Sequence, residues 1–178
     1  IKKMKLFNLI LGLLICGISF SQTQIDFNAG NNNTTVSTCN GFIIDSGGQG
    51  GSGYGNNENV TITICPDTIA SGNNTDFINI IFNLFNLDTF DDNPAPNQSN
   101  LDVMNVYDGP STASNTLGSY TGTGLANTTI QATNLNPSGC ITLQFISNTQ
   151  NNAGAWQQHV QRLVLHLLQV LKLMEVML

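Results

Sequence analysis

Between Gln22 and Trp156 the chain has no lysine, no arginine and no histidine. That stretch holds ten carboxylates and no base, from Asp26 through Glu58 to Asp108, so its formal charge is −10. The whole-chain value of −6 hides this, because every cation is terminal: Lys2, Lys3 and Lys5 before it, Arg162 and Lys172 after it. Without a basic face, nucleic acid and anionic membrane surfaces are poor partners. Without histidine, acid–base chemistry on imidazole is excluded there. Asp45-Ser46-Gly47-Gly48 imitates the segment around a protease nucleophile, but a serine needs a base to take its proton, so it reads as a turn. Zinc is excluded similarly, since scattered cysteines with no histidine give no ligand spacing. The acids have no salt-bridge partners, so they must be solvated, bonded to backbone amides, or gathered round a metal cation.

The ends differ from the middle. Lys2, Lys3 and Lys5 precede an apolar run from Leu6 to Ile18, with small residues at Ser19 and Ser21. This is the pattern of an export signal over residues 1–21, cleaved after Ser21, and it implies a secreted protein with no membrane span once processed. The apolar run is short for a spanning helix. Residues 22–38 read as a linker or N-terminal extension.

Cleavage leaves Cys39, Cys65 and Cys140, an odd number for an exported chain. A Cys39–Cys65 bridge is expected. It closes a loop of twenty-five intervening residues, which contributes about 3–4 kcal/mol in the chain-entropy treatment. Cys140 is then a free thiol, part of an intermolecular bridge, or a residue whose partner is missing. From Gln157 to Leu178 the composition turns abruptly apolar, as a helix greasy nearly all round and broken by His166, Lys172 and Glu175. This tail (residues 157–178) is read as the product of a one-base frame slip after Trp156. The shifted frame allows Ala, Thr, Ser, Pro and Cys, and would supply a partner for Cys140. Nucleotide resequencing across Trp156 separates the two readings.

The middle, residues 39–156, fits one domain. Val60, Ile62 and Ile64 alternate with threonines; Ile141, Leu143 and Phe145 alternate with Thr142 and Gln144. In Phe77–Leu87 the apolar residues fall on both faces. Ile78, Ile80, Phe82 and Leu84 take one, and Phe77, Ile81 and Phe85 share the other with asparagines, as in a central strand between two layers. Sustained helical periodicity is missing before residue 157, apart from the export signal. Short strands with turn-rich connections imply an all-β fold, an antiparallel β-sandwich. The glycine-rich stretch Gly47–Asn57 lacks the lysine and following helix of a phosphate loop, and reads as a surface loop.

The order of motifs resembles a CUB domain, the extracellular jelly-roll sandwich of complement proteases, procollagen-processing enzymes and many secreted bacterial proteins. Cys39-Asn40-Gly41 is similar to its opening Cys-Gly, and Gly53-Tyr54-Gly55-Asn56-Asn57 to its Asn-Tyr-Pro loop. Thr63-Ile64-Cys65 takes the place of its second-cysteine strand. Phe82-Asn83-Leu84-Phe85-Asn86-Leu87-Asp88 resembles Phe-x-x-Phe-Asp-Leu-Glu. Leu101-Asp102-Val103-Met104-Asn105-Val106-Tyr107-Asp108-Gly109 resembles the Tyr-Asp-x-Leu-x-Ile-Tyr-Asp-Gly strand, with Leu117-Gly118 following. Leu143-Gln144-Phe145-Ile146-Ser147-Asn148 is similar to Leu-x-Phe-x-Ser-Asp, and Ala153-Gly154-Ala155-Trp156 to the closing Gly-Trp. The chain departs from the pattern where the second family disulfide is absent and where the last strand is due, after Trp156. An N-terminal piece of a larger bacterial protein is the expected origin.

The resemblance implies calcium at one end of the sandwich. By position Asp88, Asp102 and Asn148 are the metal ligands, with Asn148 standing where the family has an acid; Glu58 and Asp108 on adjoining loops could compensate. It implies a non-catalytic binding or adhesion module that captures a basic group on an extracellular protein. A carbohydrate-binding module, or an accessory domain of a secreted hydrolase, is the alternative. A glycoside hydrolase using Asp88 and Asp102 is a weaker rival, because Trp156 is the only tryptophan available to stack on a sugar.

Overall fold

A computed structural model describes residues 22–48, 53–67, 76–91, 100–150 and 156–164. Among the described residues ten strands form two five-stranded sheets. In chain order they are β1 (Thr23–Asp26), β2 (Thr34–Thr38), β3 (Asn40–Ile44), β4 (Asn59–Pro66), β5 (Asp76–Leu84), β6 (Val103–Asp108), β7 (Asn115–Tyr120), β8 (Thr128–Gln131), β9 (Ile141–Ile146) and β10 (Gln157–Val164). The first sheet has the order β1-β3-β10-β5-β8 and the second β2-β4-β9-β6-β7. All pairs are antiparallel except β1 with β3 and β2 with β4, which are parallel edge additions. The fold is an all-β sandwich, as the alternation in β4 and β9 requires.

Period-2 patterning explains the layers. Val60, Ile62 and Ile64 on β4 and Ile141, Leu143 and Phe145 on β9 point into the core, paired Val60 with Phe145, Ile62 with Leu143 and Ile64 with Ile141. From the other sheet Ile78, Ile80 and Phe82 on β5 meet them. Aromatic edges lock one end. Phe145 lies between Tyr54 and Trp156, at centroid distances of 4.7 and 5.6 Å, and Phe27 packs on Trp156 at 5.0 Å, all edge-to-face. Leu84, placed by alternation on the core face, is instead half exposed at the end of β5, and Phe85 turns inward to pack on Phe82.

Three expectations need correction. Residues 22–38 are not a linker. They supply β1 and β2, and Ile25 and Phe27 are buried in the core. Their polar composition misleads because edge strands bury few side chains. Gln157–Val164 is not part of a helix: β10 lies between β3 and β5 and satisfies the backbone of both. Val160 faces the core with no exposed surface. Residues 165–178, like residues 1–21 where an export signal is expected, lie outside the described residues.

The Cys39–Cys65 bridge is the third. Cys65 pairs with Cys140, with Cα atoms 4.1 Å apart. The register makes the reason plain: Ile64 faces Ile141 on antiparallel β4 and β9, so the next residues outward are Cys65 and Cys140. Cys39 lies two residues past Ser37, which faces Cys65 on parallel β2, so it sits roughly 7 Å further along. Cys39 is not the partner of Cys65. Cys140 is not orphaned, so it lends no support to a frame slip.

Candidate functional site

The polar end of the sandwich is built round one hydroxyl. Gly53, in the glycine-rich stretch, has a backbone φ of 95°. Gly47 and Gly53 cross there so closely that a Cβ on Gly47 would overlap the Gly53 carbonyl. This crossing delivers Tyr54, only 2% exposed, onto Phe145. The Tyr54 hydroxyl donates to Asp102 Oδ2 at 2.6 Å and accepts from the Asp88 amide at 2.7 Å. Burial, and then the bond to Asp102, push the Tyr54 phenol well above its usual range, so it remains a donor at any physiological pH.

Asp102 stands just before β6 with no exposed surface. Its Oδ1 accepts the Asn148 amide at 2.7 Å, so both its oxygens are held. Asn148 follows β9 and is 4% exposed. Its side-chain NH₂ donates to the carbonyls of Phe90 and Asn100, each at 2.9 Å, and its Oδ1 accepts from the Gln150 amide at 3.0 Å. Asp88, 6% exposed, follows the end of β5. Its Oδ1 accepts the Phe90 amide at 2.9 Å, whereas its Oδ2 is buried without a hydrogen-bond partner. A naked buried carboxylate oxygen is costly unless something else meets it.

A second acid pair adjoins this group. Glu58 Oε1 accepts from the Ser46 hydroxyl and, at 2.7 Å, from the Gly55 amide, and Glu58 Oε2 is buried without a partner. Asp45 accepts from the Gly47 amide at 3.0 Å and the Trp156 amide at 2.9 Å. Burial raises the pKa of both carboxyls, and Asp45 and Asp102 add repulsion at Glu58. Ser46 is thus a turn residue anchored to a glutamate.

The structure gathers Asp88, Asp102 and Asn148 at one end, with Glu58 close enough to feel Asp102. Asp108 is elsewhere. It closes β6, six residues and about 20 Å from Asp102, where it accepts from Thr133 N at 3.0 Å and Asn136 Nδ2 at 2.9 Å. It cannot complete a site with Asp102. Among the described residues no three His, Cys, Asp or Glu side chains stand close enough to hold a metal, so any metal here needs the Asn148 amide or backbone oxygens. Tyr54 had only a place in a loop motif. Its central position follows from the glycines on either side, which let the chain dive into the core.

No family model matches the chain, and no curated protein matches it in sequence. Its fold does match solved structures. The full extracellular region of zebrafish Gpr126/Adgrg6 overlays with TM-score 0.53 and 12% identity, over 74% of this chain and 14% of that one. The CUB1-EGF-CUB2 domain of human MASP-1/3 overlays with TM-score 0.51 and 16% identity, over 77% of this chain and 46% of that one. The chain therefore spans less than half the length of either. The sandwich has a CUB-like fold. In the MASP-1/3 structure, CUB1-EGF-CUB2, domains of this fold are modules in a longer array. Among the described residues no helix is long and apolar enough to cross a membrane.

Proposed function

We propose that this chain is a secreted, non-catalytic binding module in which calcium at the Asp88–Asp102–Asn148 rim orders an acidic surface that captures a basic group on an extracellular protein. One observation carries the reading: Asp88 Oδ2, a buried carboxylate oxygen with no hydrogen-bond partner, in a network that also holds Asp102 and Asn148. The donor set suits a hard cation, which takes six to eight oxygens from carboxylates, amides, carbonyls and water. Asp88 and Asp102 supply charge and Asn148 a neutral oxygen, so affinity belongs at the weak end, with Kd on the order of 10⁻⁴–10⁻³ M as in extracellular modules. A bound ion supplies positive charge to a neighbourhood that has none. The chain's own residues do the positioning: Tyr54 fixes Asp102, and the Asn148 amide draws the Phe90 and Asn100 carbonyls to the same point. Phe90, half exposed beside Asp88, offers a ring to the stem of a lysine.

The test is retention of the full chain on immobilised lysine and on its Nε-acetylated form, with calcium and with chelator. Retention on lysine alone, lost in chelator and in Asp88→Asn, supports the reading. Equal retention on both resins, or indifference to chelator, defeats it.

A further inference from the structure

The sandwich carries a second built feature, far simpler in chemistry. On the outer face of the β2-β4-β9-β6-β7 sheet lies a trough of about 620 Å³, within the size range of small-ligand sites. Its floor is Thr61 and Gln144, one wall is Asn32 and Asn33, and the other is Pro110 and Ser111. All ten lining residues are asparagine, threonine, serine, glutamine or proline; none is charged. In a domain whose described interior stretch has only acids, a lining free of charge is the notable property.

Both walls are tied to the floor. Asn33, at φ 59°, donates its amide to the Thr61 carbonyl at 2.7 Å, and Asn32 Oδ1 accepts the Thr61 amide at 2.9 Å. Opposite, the buried Thr142 hydroxyl donates to the Gly109 carbonyl at 2.8 Å and lies 2.8 Å from the Thr63 hydroxyl, which reaches Pro110 O at 3.3 Å. The floor is locked as well. Gln144 Nε2 donates to Asn59 Oδ1 at 3.2 Å, and its Oε1 accepts from Tyr107 at 3.2 Å and Asn105 at 3.4 Å. The groups are therefore held before any ligand arrives, which lowers the ordering cost of binding.

We infer that this trough is a binding site for an uncharged oligosaccharide. Neutral amides and hydroxyls match sugar hydroxyls as donors and acceptors, and the Pro110 ring offers a C–H face to a pyranose. An anionic glycan is repelled by the domain's carboxylates. A cationic peptide is drawn to the acidic rim instead, and an apolar peptide finds no hydrophobic pocket in this lining. The lining shares no residue with the rim and needs no metal.

The experiment is affinity electrophoresis of the full chain through gels containing neutral glucan, mannan or galactan, with sulfated dextran as the anionic control, each with and without chelator. The trough is filled in two variants, Thr61→Trp and Ser111→Trp, whose folding is checked by thermal melting. Retardation by at least one neutral polysaccharide, unchanged by chelator and weakened ten-fold or more in both folded variants, is the expected result. No retardation by any neutral polysaccharide, equal retardation by sulfated dextran, or full retention in a folded variant overturns the inference. Chelator insensitivity keeps this outcome distinct from failure of the calcium rim.

Discussion

The Tyr54 hydroxyl donates to Asp102 Oδ2 across 2.6 Å of protein interior, joining residues forty-eight positions apart. The same oxygen accepts the Asp88 amide, so one atom holds two loops and a strand start in register. Tyr54→Phe removes this atom and little volume. It leaves a buried carboxylate short of one donor and an amide without an acceptor, a loss of about 2–4 kcal/mol. Urea denaturation is expected to show a lower midpoint with an unchanged slope; a midpoint within error of the parent would show that the network is not stabilising.

The pH response should run opposite to ordinary acid denaturation. Asp45 and Glu58 bind protons more tightly folded than unfolded, because burial penalises their charged forms. Their contribution is fullest below the ordinary values of 3.8 and 4.5 and is lost as pH rises through the raised folded values. Mild acidification from neutrality should thus raise Tm, and Glu58→Gln should flatten that slope. A Glu58→Gln profile parallel to the parent's would contradict the assignment.

Cys65–Cys140 spans a sequence separation of 75, so its reduction is expected to cost about 4 kcal/mol in the chain-entropy treatment. Peptide mapping of the oxidised chain should recover the Cys65 and Cys140 peptides linked to each other. Recovery of Cys65 linked to Cys39 would overturn the β4–β9 register.

Asn148→Asp separates the two roles of that side chain. Without calcium it loses the donors to Phe90 O and Asn100 O, a cost of about 1–3 kcal/mol. With calcium it adds a charged ligand, and affinity should rise about ten-fold. Melting with and without calcium reads both effects, and a variant indifferent to calcium would argue against a cation at this point.

The central strands could be read from the chain because β4, β5 and β9 bury alternate or continuous apolar residues, and that pattern is local. β1 and β2 could not, since Thr-Gln-Ile-Asp and Thr-Thr-Val-Ser-Thr look like loop and only Ile25 and the following Phe27 betray a core. β10 was hidden for the opposite reason: its sequence runs into an apolar tail, and only the two open ladders of β3 and β5 make it a strand. Cysteine spacing says nothing of strand register, which is what pairs Cys65 with Cys140. Motif order pointed to Asp88, Asp102 and Asn148, and Glu58 was named beside them as an acid on an adjoining loop; the structure brings these four near one another. Tyr54 and Ser46 act through contacts that spacing alone does not encode.

The most direct measurement is isothermal titration of the full chain with calcium, beside Asp88→Asn and Asp102→Ala. A saturable heat with Kd on the order of 10⁻⁴–10⁻³ M, absent in both folded variants, is expected. No calcium-dependent heat and no shift in Tm for the parent, or equal binding by the variants, would contradict a cation at the rim.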